Sequence, residues 1–408
     1  MLTNEETRVP VYSGGEQPTN ARDVDKTTLL AQLNLNWTEK QLPQKNRTKH
    51  VHGLHPYLGK YVPQLVEIFL RKYFEPGQTV LDPFVGSGTT LVQANELGIH
   101  SVGYDISAFN VLLCKVKTAD YDVRQAELEA KDVLEKTQNA NRPANGQLSL
   151  WAQPVNHIEI PQVDSVYLRE WYAPQALHEL LTYRQLIEQG DYQYKDLLKV
   201  ILTRSARSAR LTTHFDLDFP KRPQREPYWC YKHARTCQPT EEAIKFLVRY
   251  TTDTIHRIKA FMQVRTDAHV TVCHADSRVA EIPQADGIIT SPPYVGLIDY
   301  HDQHAYAYHL LNLSDNSHRE IGPASSGSSE RAKRQYQEDM AQVFRNVSQQ
   351  MAGGSPIIVV AGDRHDLYPE ISRLSGLDEE AVLQRHVNRR TGRRSSEFYE
   401  SIFIWRKP

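Results

Sequence analysis

The chain has 408 residues, 40% of them hydrophobic, and a formal net charge of -1. That length exceeds one compact domain, the near-neutral balance gives a polyanion no whole-molecule attraction, and four widely spaced cysteines form no disulfide framework. No apolar run reaches the roughly 18 residues of a membrane helix, and the polar start, Met1 to Asn20, lacks a secretory pattern. A soluble cytoplasmic protein is expected.

Residues 1–45 are polar and weakly patterned, an arm ordered only if it docks. Leu65, Val66, Phe69, Leu70 and Tyr73 follow a helical period that stops at Glu75-Pro76-Gly77. A buried-looking strand, Thr79 to Asp82, leads through a Gly-rich turn into a helical stretch, Gly86 to Leu97, and a second strand, Ser101 to Asp105. This alternation opens a parallel α/β sheet. After about residue 118 the pattern turns helical: Arg124 to Lys136, a linker at Thr137 to Leu148, then Gln175 to Gln189, Tyr194 to Ala209 and Thr240 to Val264, the last begun by Pro239-Thr240-Glu241-Glu242. Strand-like runs resume at Val270 to Asp276, Gly287 to Thr290 and Pro356 to Val360, and Phe398 to Trp405 should form a final strand hairpinned with Gln384 to Asn388. Ala324 to Ser329 should be a mobile loop. The division expected is an arm over 1–45, a catalytic domain over 46–118 and 268–408, and a mainly helical insertion over 119–267.

Two motifs carry chemistry. Asp82-Pro83-Phe84-Val85-Gly86-Ser87-Gly88-Thr89-Thr90 falls where a strand ends and a helix begins, so its glycines admit a ligand to the backbone and the helix start offers free N–H groups. No lysine follows the second glycine, which excludes a Walker A loop. Asp105, ending the next strand, stands where a carboxylate accepts from ribose hydroxyls. The second motif, Ser291-Pro292-Pro293-Tyr294, follows the strand Gly287 to Thr290. Consecutive prolines there leave a carbonyl, that of Pro292, free to accept in a cleft, and Tyr294 offers a flat face to a planar substrate. None of Cys114, Cys230, Cys237 or Cys273 follows a proline, as the nucleophile of a C5-cytosine enzyme commonly does.

DPFVGSGTT, then GYDIS (Gly103 to Ser107) and TSPPY (Thr290 to Tyr294), resemble the amino-methyltransferases of DNA. Looser likenesses are His55-Pro56-Tyr57-Leu58-Gly59-Lys60, similar to the family's N-terminal cofactor motif, and His274-Ala275-Asp276-Ser277, similar to its acidic strand end near the cofactor adenine. The resemblance implies a Rossmann-like sheet binding S-adenosylmethionine through Tyr57, Asp82 to Phe84, Gly86 to Thr90, Asp105, Ile106 and Asp276. It also implies an extrahelical base whose amino hydrogens are held by Ser291 and the Pro292 carbonyl, with Tyr294 stacked on it. Adenine-specific relatives usually carry Asp or Asn where Ser291 stands, so the resemblance favours cytosine N4; since Ser, Asn and Asp all accept from an amino group, chemistry alone leaves the base open. Double-stranded DNA is the implied partner, with a cognate restriction endonuclease or defence-system subunits allowed beside it. An RNA base, a protein amide and a non-catalytic DNA-binding subunit are the competing readings.

Arg204, Arg207 and Arg210 recur three apart and so share about one helical face. With Lys221, Arg222 and the aromatic pair Tyr228-Trp229 they form the candidate DNA contact, and Arg385, Arg389, Arg390, Arg393 and Arg394 form a second cationic cluster. Cys230, His233 and Cys237, with His214 or Cys273 as a distant fourth, lack the usual paired spacing of zinc ligands and are read as incidental soft residues, with no metal expected. His301, His304 and His309 are expected to line or support the base pocket.

Overall fold

The computed structural model describes residues 17–141, 164–214, 216–218, 220–387 and 398–408. Nine strands are described: β1 Thr79–Asp82, β2 His100–Asp105, β3 Tyr228–Cys230, β4 Arg235–Cys237, β5 Val270–His274, β6 Gly287–Thr290, β7 Pro356–Ala361, β8 Asp378–Val387 and β9 Phe398–Arg406. Seven build one sheet in the order β5-β2-β1-β6-β7-β9-β8, and β3 pairs only with β4. Neighbours are parallel from β5 to β7, whereas β9 runs antiparallel to both β7 and β8. This is the α/β, Rossmann-like sheet expected, closed by the expected terminal hairpin.

The pleat sorts the apolar runs between two faces. Val80, Ile289, Ile358, Val360, Ile402 and Ile404 face a core shared with Leu65 and Phe69 of the Pro63–Tyr73 helix. Their alternates Leu81, Ile288, Ile357, Val359, Phe403 and Trp405 face Met340, Phe344 and Val347 of the Glu330–Ser348 helix. Burial on both sides is why these strands read as continuous apolar runs.

The arm docks: Leu33, Leu35 and Leu42 are buried in the first of these cores, and Asn36 Oδ1 accepts from His386 N at 2.6 Å. From residue 17 it packs into the same core as the sheet, as an arm that is ordered by docking. The insertion forms a bundle around Leu180, Leu198, Ile201, Ile255 and Ile258, packed on Phe109 and Leu113 of the Ala108–Thr118 helix. The Val123–Ala140 helix runs beyond the expected start of the linker, most of which lies outside the described residues. Ala324–Ser326 is a short 3-10 turn whose Ser325 N and Oγ both donate to Asp299 Oδ1 at 3.1 Å, not the loose loop its composition predicts.

The last insertion helix spans Ile244–Met262, four residues later than its local start signal. Its cap comes from another helix: Glu179, 1% exposed, accepts from Ile244 N at 2.9 Å and also from Ala243 N. Glu179→Ala leaves those buried donors without an acceptor and should cost about 1–3 kcal/mol, read as a lower urea midpoint at unchanged slope.

Candidate active site

In an open α/β sheet ligands bind beyond the carboxyl ends of the strands where the winding reverses, here between β1 and β6. Both motifs sit there, after β1 and after β6. A cleft opens at this point, lined among others by Pro83, Phe84, Gly86, Ser87, Asp105, Ile106, Asp276, Ser291 and Pro293.

The turn after β1 doubles back tightly, Gly88 N donating to Val85 O at 2.8 Å, with Gly86 at φ +49 and Gly88 at φ +79. A Cβ on Gly86 would lie 3.1 Å from Tyr57 Oη, so the bare backbone keeps that wall open. Lys117, 1% exposed, donates to Ser87 O at 2.6 Å from beneath the turn, and burial lowers its ammonium to about 8. No local pattern marks Lys117 as part of the site, since it lies on a helix 30 residues downstream.

Asp105 receives Gly86 N at 2.9 Å, Ser107 N at 2.8 Å and Asn110 Nδ2 at 3.0 Å. Burial nonetheless pushes its carboxyl up to about 6. Asp276 also faces the cleft, clamped by Arg278, whose Nη2 lies 2.7 Å from Oδ2. Asp276 stays below the usual carboxylate range: its burial works against this, and the Arg278 hydrogen bonds outweigh it. The opposite wall comes from Tyr57, stacked on Tyr300 at 6.1 Å, and from His301, Glu320 and Ile321. His301 hydrogen-bonds Glu320 there; His304 is buried behind Tyr57, and His309 stacks on Tyr167 outside the cleft. Of the three histidines only His301 lines the cleft.

Three expected cofactor residues stand behind it instead. Asp82, 1% exposed, accepts from Thr90 Oγ1 and Thr290 Oγ1, each at 2.6 Å, and from Phe84 N at 3.1 Å. Thr90 is fully buried in that network, and a Cβ on Gly88 would meet Cys114 Sγ at 3.1 Å. These residues shape the turn without lining the cleft.

Beyond β6, Pro293 O accepts from Tyr336 Oη at 2.8 Å, while the Pro292 carbonyl has no hydrogen-bond donor among the described residues. Tyr294 lies beside the cleft, its hydroxyl 3.4 Å from Glu400 Oε1 and held well above its usual pKa by burial. Arg385 Nε in turn holds Glu400 Oε2 at 2.8 Å. Arg385 is 4% exposed and braces Tyr294, which corrects its place in a phosphate-binding cluster; Arg389, Arg390, Arg393 and Arg394 lie outside the described residues.

The helical arginines need the same correction. Arg204 is 8% exposed and paired with Asp253. Arg207 pairs with Asp218, and Arg210, 2% exposed, donates to Leu217 O at 2.7 Å with its guanidinium over Tyr306. Their face turns inward, so none of the three is free for phosphate. Lys221 and Arg222 are exposed.

The cleft fits S-adenosylmethionine: a glycine cradle, a carboxylate at the end of β2, and apolar walls from Phe84, Ile106 and Ile321. Sheet and cleft together define a Rossmann-like, S-adenosylmethionine-dependent methyltransferase. A family model described as DNA methylase, for N6 and N4 enzymes, matches residues 4–115. The Type II methyltransferase M.MjaII of Methanocaldococcus jannaschii is 36% identical over 430 aligned residues, 89% of this chain and 81% of that protein. The Type II methyltransferase M.BsoBI of Geobacillus stearothermophilus is 22% identical over 69% of this chain and 56% of its own length. Crystalline TrmN from Thermus thermophilus aligns with 86% of this chain and 50% of its own at 11% identity and a TM-score of 0.31. The chain belongs to the Type II methyltransferases, in the N6/N4 family of DNA methylases. Among the described residues no helix is long and apolar enough to cross a membrane.

Substitution separates the two glycines. Gly88→Ala puts a side chain at positive φ against Cys114 and should lower stability by about 1–2 kcal/mol, seen as a lower melting temperature. Gly86→Val projects toward Tyr57 across the cleft and should lower S-adenosylmethionine affinity in calorimetry more than Gly88→Ala does.

Proposed function

We propose that the protein methylates cytosine N4 at a specific site in double-stranded DNA, as the modification enzyme of a restriction-modification pair. The observation that carries this reading is the placement of Ser291 and Pro293 in the same cleft as Gly86, Ser87 and Asp105. S-adenosylmethionine supplies a methyl group on a sulfonium centre. Asp105 and the Gly86–Ser87 backbone would hold that cofactor, with Phe84 and Ile106 supplying apolar walls beside it. Ser291 Oγ and the Pro292 carbonyl would accept hydrogen bonds from the two amino hydrogens of a base drawn out of the duplex, turning the nitrogen lone pair toward the sulfonium methyl; as the N–CH3 bond formed, the S–CH3 bond would break with its electron pair left on sulfur as a thioether, and the methylated nitrogen would release one proton to water. Tyr294, its hydroxyl anchored on Glu400, presents its ring to the base.

Serine at position 291 is the feature that favours cytosine. Enzymatic digestion of host DNA after expression in a methylation-free strain, with mass spectrometry of the nucleosides, should yield N4-methyldeoxycytidine. N6-methyldeoxyadenosine alone would overturn the choice of base and leave the amino-methyltransferase reading intact.

Exposed cations on the β3–β4 hairpin and its approach are Lys221, Arg222, Lys232 and Arg235, beside Trp229 at 56% and Tyr231 at 86% exposure. Basic and aromatic groups interleaved on a projecting hairpin suit phosphate contact and base stacking, so target recognition is assigned there.

Ser291→Ala should lower kcat about a hundredfold or more while S-adenosylmethionine affinity stays at the wild-type value. Asp105 gives a pH signature. Its carboxyl titrates near 6, so it is an ionised acceptor above that pH and protonated below it. Cofactor affinity should be flat above pH 7 and fall as pH drops through 6, and Asp105→Asn should abolish the dependence. The same raised value makes this group's contribution to stability of the free protein grow as pH falls from 6 toward 4, so unfolding of the free protein does not mimic the loss of binding.

A further inference from the structure

Outside the cleft, the densest set of metal-ligating side chains among the described residues lies on the β3–β4 hairpin and the strand-less segment leading to it. His214, Cys230, His233 and Cys237 bring one ligand atom each within 4.8 Å of all the others. Cys230 Sγ lies 3.6 Å from His214 Nδ1 and 3.5 Å from His233 Nδ1, and Cys237 Sγ lies 3.4 Å from His233 Nδ1. Zinc–sulfur bonds of about 2.3 Å and zinc–nitrogen bonds of about 2.05 Å at a tetrahedral angle require sulfur–nitrogen separations of about 3.6 Å. Cys273, the other candidate fourth ligand, lies on β5 in the main sheet.

The hairpin has little else to hold it. Its strands are three residues each, and no residue from Tyr228 to Cys237 belongs to a buried apolar cluster of the described residues. An isolated two-stranded hairpin is marginal in water, and units without a core are commonly stapled by a metal. Yet Cys230 and Cys237 are 3% and 7% exposed, turned inward while Trp229, Tyr231 and Arg235 face solvent. Both cysteines are free thiols, and strand register sets Cys230 opposite Arg235 and Cys237 opposite Tyr228, not opposite each other.

We propose that His214, Cys230, His233 and Cys237 bind a structural zinc ion that staples the hairpin to the chain leaving the Lys195–Ala209 helix. Two thiolates and two neutral imidazoles balance the charge of Zn²⁺ and fill all four positions, leaving none open for chemistry. Binding takes Nδ1 of His214 from the Tyr228 hydroxyl, now at 2.8 Å, while His214 N still donates to that oxygen at 3.1 Å. Arg210, four residues before His214, has its guanidinium over Tyr306 of the bundle core, so the zinc would tie the hairpin to a chain segment anchored on that bundle. The metal site stands on its own geometry; its consequence for DNA rests on the recognition role assigned to the hairpin above.

The full-length protein, purified in reductant without a histidine tag, should carry about one zinc per chain by mass spectrometry of the metal. Replacing zinc with Co²⁺ should give thiolate-to-cobalt charge-transfer bands and the intense visible bands of a tetrahedral site. Cys230→Ser with Cys237→Ser should remove both, and duplex affinity should fall about tenfold or more, the worth of one or two contacts, with S-adenosylmethionine affinity unchanged. Wild-type protein that retains no zinc after incubation with zinc sulfate and gel filtration overturns the site, as does a Cys230–Cys237 disulfide in freshly isolated protein. Zinc retained in full by the double variant places the metal elsewhere and equally overturns it. If the double variant fails to fold, the cobalt spectrum of the wild type decides, because only bound thiolate gives the charge-transfer bands. Loss of zinc without loss of duplex affinity leaves the metal site standing and removes the hairpin from recognition.

Discussion

The site depends on one buried carboxylate. Asp82 ends β1 and accepts at once from Thr90 on the helix after the glycine turn and from Thr290 at the end of β6, both at 2.6 Å. It thereby locks the glycine turn to the strand that leads into Ser291, across neighbouring parallel strands. Burial pushes its pKa up while those donors hold it down. A charge taken out of water persists only where such donors replace it, so the two motifs are mutually required: without Thr290 the aspartate at the first motif loses a donor, and without Asp82 the second motif loses its anchor.

This coupling explains how far the sequence could be read. Strands were legible because both faces of the sheet are buried and apolar runs such as Ile288-Ile289 and Ile357-Ile358 leave little alternative. The motifs were legible as strings, and most of their residues line the cleft. The division of labour within them was not, because Asp82, Gly88 and Thr90 differ from Gly86 and Asp105 only in which way they face across the turn. Sequence spacing carries no term for that direction.

The arginines show the same limit on a larger scale. Arg204 and Arg207 lie on the Lys195–Ala209 helix and Arg210 just past its end in extended backbone, and Leu198, Ile201, Leu202, Ala206 and Ala209 are buried on the same helix, which sits in the bundle with little exposed face. The run Leu197 to Leu202 was the available signal: a helix apolar on nearly every side is interior, and cations on it then need partners. Asp253, Asp218 and the face of Tyr306 supply them. Counting charges registered the density and missed its neutralisation. In the same way Glu179 caps a helix 64 residues on, a partnership no local start signal could reveal.

Other cations of the same region stay exposed. Arg222 and Arg235 stand near the hairpin, whose exposed aromatics Trp229 and Tyr231 would be a liability on an ordinary surface. The net charge of -1 conceals this arrangement, since Arg204, Arg207 and Lys259 are paired with acids in the bundle while Lys221, Arg222, Lys232 and Arg235 lie exposed at the hairpin and its approach. A polyanion meets that local field within about 10 Å, the reach of a charge at moderate salt, and at that range the molecule's overall neutrality has no bearing. Recognition and chemistry are thus assigned to different parts of one chain: the cleft is held by a buried carboxylate network under the sheet, and the proposed DNA contact falls on exposed groups of a short hairpin.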